Sequence, residues 1–306
     1  MGVGQSRIGV TATHATPSGP LQGVLEADFH NASTGTSGLL RVRHAYAHYG
    51  GWTLGQTWTT FFDPECNPSQ VDFEGPNSST LNRAPLLRYT HTLSESSQFS
   101  VAAEHPSEEV TAMGGLGSSN QRFPDLAAGV KALKSPGGHI YAAGIAREIR
   151  YTDTTGEFRG TLGWGIMGCG KVSAGQRDNL KFQVTGGRGI ARYIEGVRGL
   201  GYDAVADTAA NELQPLWVTG GYLAFQHFWG AHVHSSLIVG DVRVESTSLL
   251  LPGDFRSGTY GAVNLFWQAA RHLELAVEVL VGSRTNQDGA DGAASRLQFG
   301  AKVPLS

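Results

Sequence analysis

The stretch LRVRHAYAHYGGWTLGQTWTTFFDPECNPSQVDFEGPNSSTLNRAPLLRYTHT, Leu40–Thr92, decides the reading of this chain of 306 residues. It begins with the charged strand Leu40–Tyr49 and continues through GWTLGQTWTTF, Gly51–Phe61. A long connection rich in Pro, Asn and acid then returns the chain to a strand at Ala84–Thr92. On strand spacing Arg41 and Arg43 share one face, with Ala45 and Ala47, opposite Leu40, Val42, His44 and Tyr46. Arg88 sits between Leu87 and Tyr89 by the same logic. Such a charged face is odd for a sheet that buries an ordinary core. The connection at 62–83 is also far longer than the turns beside it. A closed barrel, charged inside and with one large loop folded into it, explains both.

Composition agrees. Charged residues are only 16% of the chain and glycines number 42, where a soluble domain carries about 25% charge. The net charge of −3 implies no nucleic-acid partner. No stretch approaches the ~18 apolar residues of a membrane helix, which leaves a β-barrel open. Cys66 and Cys169 have no metal-type spacing and read as two unpaired thiols. No leader segment is visible at the start of the chain.

Outward from the opening stretch, most segments alternate with period two. Phe158, Leu162, Trp164 and Ile166 oppose Glu157, Arg159 and Thr161; Leu273, Leu275, Val277, Val279 and Val281 oppose Glu274, Ala276 and Glu278. Leu297, Phe299, Ala301 and Val303 oppose Arg296, Gln298 and Lys302. That is the pattern of strands with one wet face. About fifteen such strands are predicted, near 5–15, 20–30, 39–49, 51–61, 84–93, 97–105, 125–134, 139–151, 157–170, 178–193, 215–228, 231–245, 258–269, 272–284 and 294–304. Only 200–214 suggests a short helix. Short turns alternate with longer connections at 31–38, 62–83, 106–124, 152–156, 194–214, 246–257 and 285–293, as in an outer-membrane barrel. Such barrels hold an even number of strands with both termini on the short-turn side, so one further strand is expected before residue 1 and about sixteen in all.

The expectation is therefore an all-β protein, a single transmembrane antiparallel barrel over residues 1–306. The segments Leu40–Pro64, VDFEGPNS (Val71–Ser78) and LLRYT (Leu86–Thr90), with Ser6–Phe29 upstream, resemble the DcaP-like porins of Gram-negative outer membranes. The resemblance is specific from about Ser6 to Thr90 and architectural beyond. It implies a homotrimeric channel of sixteen strands per protomer for small anionic solutes, dicarboxylates in particular. It also implies a signal peptide, a coiled-coil segment and a first strand, none of which this sequence shows, and the terminal VPLS lacks the family's final aromatic residue.

The residues expected to line the pore are Arg41, Arg43, Arg88 and Arg7, with Glu26 and Asp28 either facing the solute or pairing with the arginines. Arg147 is a further candidate. Arg on a lipid face costs about 2–4 kcal/mol at mid-bilayer, which turns these groups inward. Guanidinium groups grip carboxylates in a bidentate fork. Asp63, Glu65, Asp72 and Glu74 on the loop are expected to oppose them across a constriction and set up a transverse field. No metal site, cofactor or catalytic group is expected. His232 and His234 share a face at the i, i+2 spacing that can hold zinc, and His44 and His48 lie two positions beyond such a pair, but no third ligand of fitting spacing appears. GGRGI (Gly186–Ile190) and TAMGGLGSS (Thr111–Ser119) lack the remaining parts of a phosphate loop. Trp52, Trp58, Trp164, Trp217, Trp229 and Trp267, with Tyr49, Tyr151 and Tyr222, are read as interfacial girdles. The expected partners are small anionic solutes, outer-membrane lipid and lipopolysaccharide, and two further copies of the chain. The alternatives are an outer-membrane barrel enzyme of lipase or protease type, with His232 and Ser235 or Ser236 as its weak candidates, and a soluble carbohydrate-binding β-protein.

Overall fold

Alternation of apolar and polar residues over ten or so positions builds a strand with one greasy and one wet face, and fifteen such strands follow one another in this chain. The computed structural model describes residues 4–30, 40–111, 118–152, 156–207, 209–210 and 212–304. The strands are β1 (Arg7–Thr16), β2 (Gly19–Asp28), β3 (Arg41–Tyr49), β4 (Trp52–Trp58), β5 (Arg83–Ser94), β6 (Ser97–Glu104), β7 (Asp125–Ser135) and β8 (Gly138–Thr152). They continue as β9 (Phe158–Ala174), β10 (Asp178–Arg188), β11 (Trp217–Phe228), β12 (Val233–Val244), β13 (Phe255–Ala270), β14 (Leu273–Asn286) and β15 (Asp291–Lys302). Each pairs antiparallel with the next in chain order. The expected loop at 31–38 lies outside the described residues, as do parts of the connections at 106–124, 152–156 and 194–214 and most of TAMGGLGSS.

One face of the sheet is apolar and open to its surroundings. Phe225, Leu237, Val263, Val279 and Leu297 stand directly opposite one another on five successive strands. All five are exposed, Val263 at 56% and Leu297 at 59%. A contiguous apolar band of this width is an interaction surface rather than ordinary protein exterior. Trp52, Trp164, Trp217, Trp229, Trp267 and Tyr49 lie exposed on this side. Tyr151 and Tyr222 depart from the girdle expectation, because both are buried on the opposite face. Trp58 turns in as well, packing edge-on against Phe62 of the following loop.

The sheet curls. Asp72 binds Arg296 of β15 at 2.8 Å, while its neighbour Phe73 lies within 6 Å of the guanidinium groups of Arg7 on β1 and Arg41 and Arg43 on β3. Two adjacent residues thus touch both ends of the strand order. Among the described residues β1 and β15 are not hydrogen-bonded to each other. Both are exposed along nearly their whole length.

Two long segments fill the inner side. The first, between β4 and β5, carries a single 3-10 turn at Pro64–Cys66. The second, between β10 and β11, holds a 3-10 turn at Ala191–Tyr193 and a hairpin of Ala204–Asp207 with Glu212–Pro215. Among the described residues the helix expected over 200–214 is absent. Ala204, Ala206 and Leu213 pack instead with Ile149 and Tyr151 of β8, and a hairpin presents those small side chains to the wall in a way a helical turn would not. The two segments also join each other, Glu195 N–H donating to Ser79 O at 2.9 Å.

Arg147 was a candidate for the pore, yet its side chain has no exposure at all. It lies between Asp203 at 2.8 Å and Asp125 at 3.3 Å, donates to Gly189 O, and also reaches Ser107 O. Tyr193 donates to Asp125 at 2.7 Å and Arg192 N–H to Asp203 at 3.0 Å, so one guanidinium organises the attachment of the second segment to the wall. Replacing it leaves two buried carboxylates facing each other. Arg147→Met is expected to lower the unfolding free energy by about 3–5 kcal/mol, the cost of stripping a buried ion pair of one partner. Thermal unfolding of the detergent-folded protein, followed by gel mobility, is the measurement; an unchanged midpoint would show that the cluster carries no stability.

Candidate functional site

Strand parity turns the arginines of β3 inward, and a bulge then changes which residues accompany them. The register runs Asp28↔Arg41, Ala27↔Val42, then Glu26↔His44, so Arg43 is an extra residue on β3. Beyond it the faces exchange. His44 and His48 point inward, bonded to Thr57 and Thr53 at 3.0 Å each, while Ala47 and Tyr49 face out. A bulge re-aims side chains in this way. It places Arg41, Arg43 and His44 together on the inner face, where strict alternation puts His44 with the lipid-facing set.

The inner face of β1–β5 then carries Arg7, Arg41, Arg43, Arg83 and Arg88. Asp28, fully buried, accepts a bidentate fork from Arg41 at 2.7 and 2.9 Å and a further bond from Arg43 at 2.9 Å. Glu26 takes Arg43 at 2.7 Å and lies 3.9 Å from Arg7. Arg43 is 4% exposed, so its charge is spent in the wall. Arg88 is different: among the described residues it has no acidic partner, and its one hydrogen bond goes to Trp58 O at 3.3 Å. Arg83 lies over the Trp58 ring at 4.6 Å, with its buried Nη1 unpartnered. Five guanidinium groups against two carboxylates leave this side of the lumen positive.

The segment between β4 and β5 leaves this region and is bonded around the inner wall. Glu104 of β6 accepts from Thr59 Oγ1 and Thr60 N–H, and Tyr141 of β8 donates to Thr60 O. Lys181 and Gln183 of β10 donate to Asn67 O and Ser78 O. Glu278 of β14, completely buried, accepts Val71 N–H at 3.0 Å and Asp72 N–H at 2.8 Å.

The four acids of this segment do not form one set. Asp63, 3% exposed, binds Lys131 at 2.8 Å and His139 at 2.7 Å, and Glu65 binds Lys131 at 2.9 Å. Asp72 is held by Arg296 and Tyr260; burial lifts its carboxyl above the ordinary range while Arg296 pulls the other way. Glu74 alone lies near the arginine side, exposed and 4.0 Å from His30. Between Asp72, Tyr260, Arg284 and Arg296 opens a cleft of about 870 Å³.

Sequence reasoning passed over Arg83, Phe73, Arg284 and Glu195, and left Arg296 on a polar face without a role. Arg284 and Arg296 were findable, since each falls on the polar side of an alternating strand. Glu195 was not, because it lies in an irregular segment without period. It pairs with Arg198, is 6% exposed, and burial pushes its carboxyl up from 4.5 to about 7. His234 stacks on Phe266 at 4.8 Å, while His44 and His48 each bond a different threonine. The Ser235 hydroxyl accepts from Trp229 Nε1 at 3.0 Å.

The profile of the family described as DcaP outer membrane protein matches residues 1–303. No curated protein sequence matches the chain. Among solved structures, the outer membrane channel DcaP of Acinetobacter baumannii superposes with a TM-score of 0.86 at 20% identity, over 97% of this chain and 84% of that one. An anion-selective porin from Comamonas acidovorans gives 0.61 at 12% identity, over 99% and 89% of the two chains. A trimer form of OmpT from Vibrio cholerae gives 0.60 at 14%, over 98% and 91%. The sheet is thus that of an outer-membrane porin barrel.

Removing the Glu278 carboxylate should free the main chain at Val71 and Asp72. In Glu278→Ala, amide exchange over residues 69–74 is expected to accelerate roughly tenfold or more, the equivalent of one charge-assisted hydrogen bond of about 1.5 kcal/mol. Hydrogen–deuterium exchange with mass spectrometry reads this directly, and unchanged protection would show that the segment is held elsewhere.

Proposed function

The chain belongs to the DcaP outer membrane protein family, and from that premise we propose that it is a passive channel selecting small anionic solutes, dicarboxylates among them. The observation that carries this reading is the pair Arg88 and Arg83, inward-facing guanidinium groups with no acidic partner among the described residues. A guanidinium stays charged and binds carboxylate through two parallel bonds. Two of them flanking a water-filled path attract a dianion more strongly than a monoanion. Arg41 and Arg43 have a different task in this proposal. They neutralise Asp28 and Glu26 and keep the wall in register, while Arg7 adds a partly screened charge at its edge.

The second part of the proposal concerns the segment between β4 and β5 as the constriction. Its tip, Asp72–Glu74, spans from Arg296 to the ring of arginines about Phe73. Glu74 on one side and Arg83 and Arg88 on the other supply the transverse field, with Asp63 and Glu65 committed to Lys131 instead. The exposed edges of β1 and β15 are joined by a sixteenth strand in this reading, because unpaired backbone groups are not tolerated in hydrocarbon. A homotrimer embedded in outer-membrane lipid and lipopolysaccharide is the proposed assembly, after the trimer form seen for the Vibrio cholerae OmpT porin.

Planar-bilayer recording tests the solute class. Under a salt gradient the wild-type reversal potential is expected on the anion side, with a dicarboxylate blocking chloride current. Arg88→Ala should move the potential several-fold toward cations without loss of folded protein; an unchanged potential removes Arg88 from selection. Arg43→Ala should instead reduce folded yield, since Asp28 and Glu26 lose their shared partner.

Glu195 adds a pH dependence. Its charge appears as pH rises through about 7, close to Arg83. Anion preference should therefore fall across that range, and Glu195→Gln should flatten the step. Stability follows the same sign: the contribution of the protonated group is complete below 4.5 and is lost as pH rises through about 7. A reversal potential that does not vary from pH 6 to pH 8, roughly one unit either side of that value, would rule Glu195 out.

A further inference from the structure

Folding brings together four side chains from three separate parts of the sequence. Asp63 caps and Cys66 ends the 3-10 turn of the segment between β4 and β5, His139 is the second residue of β8, and Cys169 lies on β9. Ligating atoms of Asp63, Cys66 and His139 all lie within 4.8 Å of one another, and all three residues are buried. Cys66 Sγ is 3.7 Å from His139 Nε2, which in turn is 2.7 Å from Asp63 Oδ2. Cys169, 1% exposed, is in side-chain contact with Cys66. We propose that these four side chains form a closed binding site for a thiophilic divalent metal ion of the zinc class, which clamps the inserted segment to the wall.

The donor set fits. Two thiolates, an imidazole nitrogen and a carboxylate oxygen are tetrahedral zinc ligands, with bonds of about 2.0–2.3 Å that set neighbouring donors about 3.3–3.8 Å apart. The sulfur–nitrogen distance already lies in that range, and the oxygen–nitrogen pair must part by only about half an ångström. Glu65 Oε2 stands 3.7 Å from the other nitrogen of His139, where a carboxylate orients a ligating imidazole. Lys131, 2.8 Å from Asp63, offsets the third negative charge of a site with two thiolates and one carboxylate. Four protein donors leave no open position, so the site is structural rather than catalytic. On binding, two S–H bonds give way to two sulfur–metal bonds, and both protons leave to solvent. No change of oxidation state is involved.

The test uses the purified full chain, folded in detergent, reduced, and equilibrated with zinc or cobalt(II). Elemental analysis should find a single zinc per chain. Cobalt(II) should give a thiolate charge-transfer band with the intense visible absorption of a tetrahedral site. Both signals should vanish in Cys66→Ser and Cys169→Ser and persist in His232→Ala, while Glu65→Gln should weaken zinc by about 10- to 100-fold. Should the serine variants fail to fold, release of zinc from wild-type protein by a thiol-modifying reagent reads the same ligation. The proposal is overturned by cobalt spectra without a thiolate band or by zinc uptake indifferent to both cysteines. It is overturned equally by thiol titration of unreduced protein that finds none free, which would mean the two sulfurs close as a disulfide.

Discussion

A backbone amide or carbonyl facing hydrocarbon without a partner costs several kcal/mol, and an arginine there is almost as unwelcome. This constraint dictates the rest of the molecule. It forces the main chain into paired strands and apolar side chains such as Phe225, Leu237 and Val263 outward. At mid-strand, charges then go to the inner face, where they must find partners or water. Outward charges such as Glu148 and Arg243 lie toward strand ends and pair with Arg122 and Asp241. In the proposed channel, the groups that act on a passing solute are the ones the wall does not use up. Asp28 absorbs Arg41 and Arg43, while Arg88 and Arg83 are left over.

The interior is built by the same reasoning applied to inserted chain. A segment without regular structure carries unpaired main-chain groups into the lumen, and each needs a donor or acceptor from the wall. Glu104, Gln183, Tyr222 and Glu278 supply them from four different strands. Arg147 does so for the second segment from a fully buried position, by holding Asp125 and Asp203 with Gly189 O. Polar residues buried on strands are thus the fixtures to which irregular chain is attached. That explains why so many of them, Glu278 and Gln183 included, have no exposure.

Much of this was legible before any coordinates. Period-two alternation located the fifteen wall strands in order, because a half-wet strand writes its two faces into consecutive residues. What alternation cannot register is a residue that breaks it. The extra Arg43 moves His44 and His48 to the other face, and nothing in RVRHAYAH marks the bulge. Irregular chain is equally opaque: the 200–214 stretch looks faintly helical because small residues suit a helix, but Ala204 and Ala206 serve as close-packing contacts against Ile149. Tyr222 and Tyr151 looked interfacial from their places near strand ends, whereas Tyr222 reaches inward to Cys66 O at 3.2 Å. The cluster of Cys66, His139 and Cys169 depends on contacts between residues more than 70 positions apart, and spacing rules see only near neighbours.

Glu278 grips the inserted segment by the amides of Val71 and Asp72, and Asn264 by the carbonyl of Ser69. Any residue except proline offers the same amide. The hold is therefore blind to side-chain identity, and positions such as Phe73 and Glu74 can be exchanged without loosening it. In the proposed channel scaffold and filter are thus separable: two or three letters at the tip can be rewritten while the mooring stays as it is.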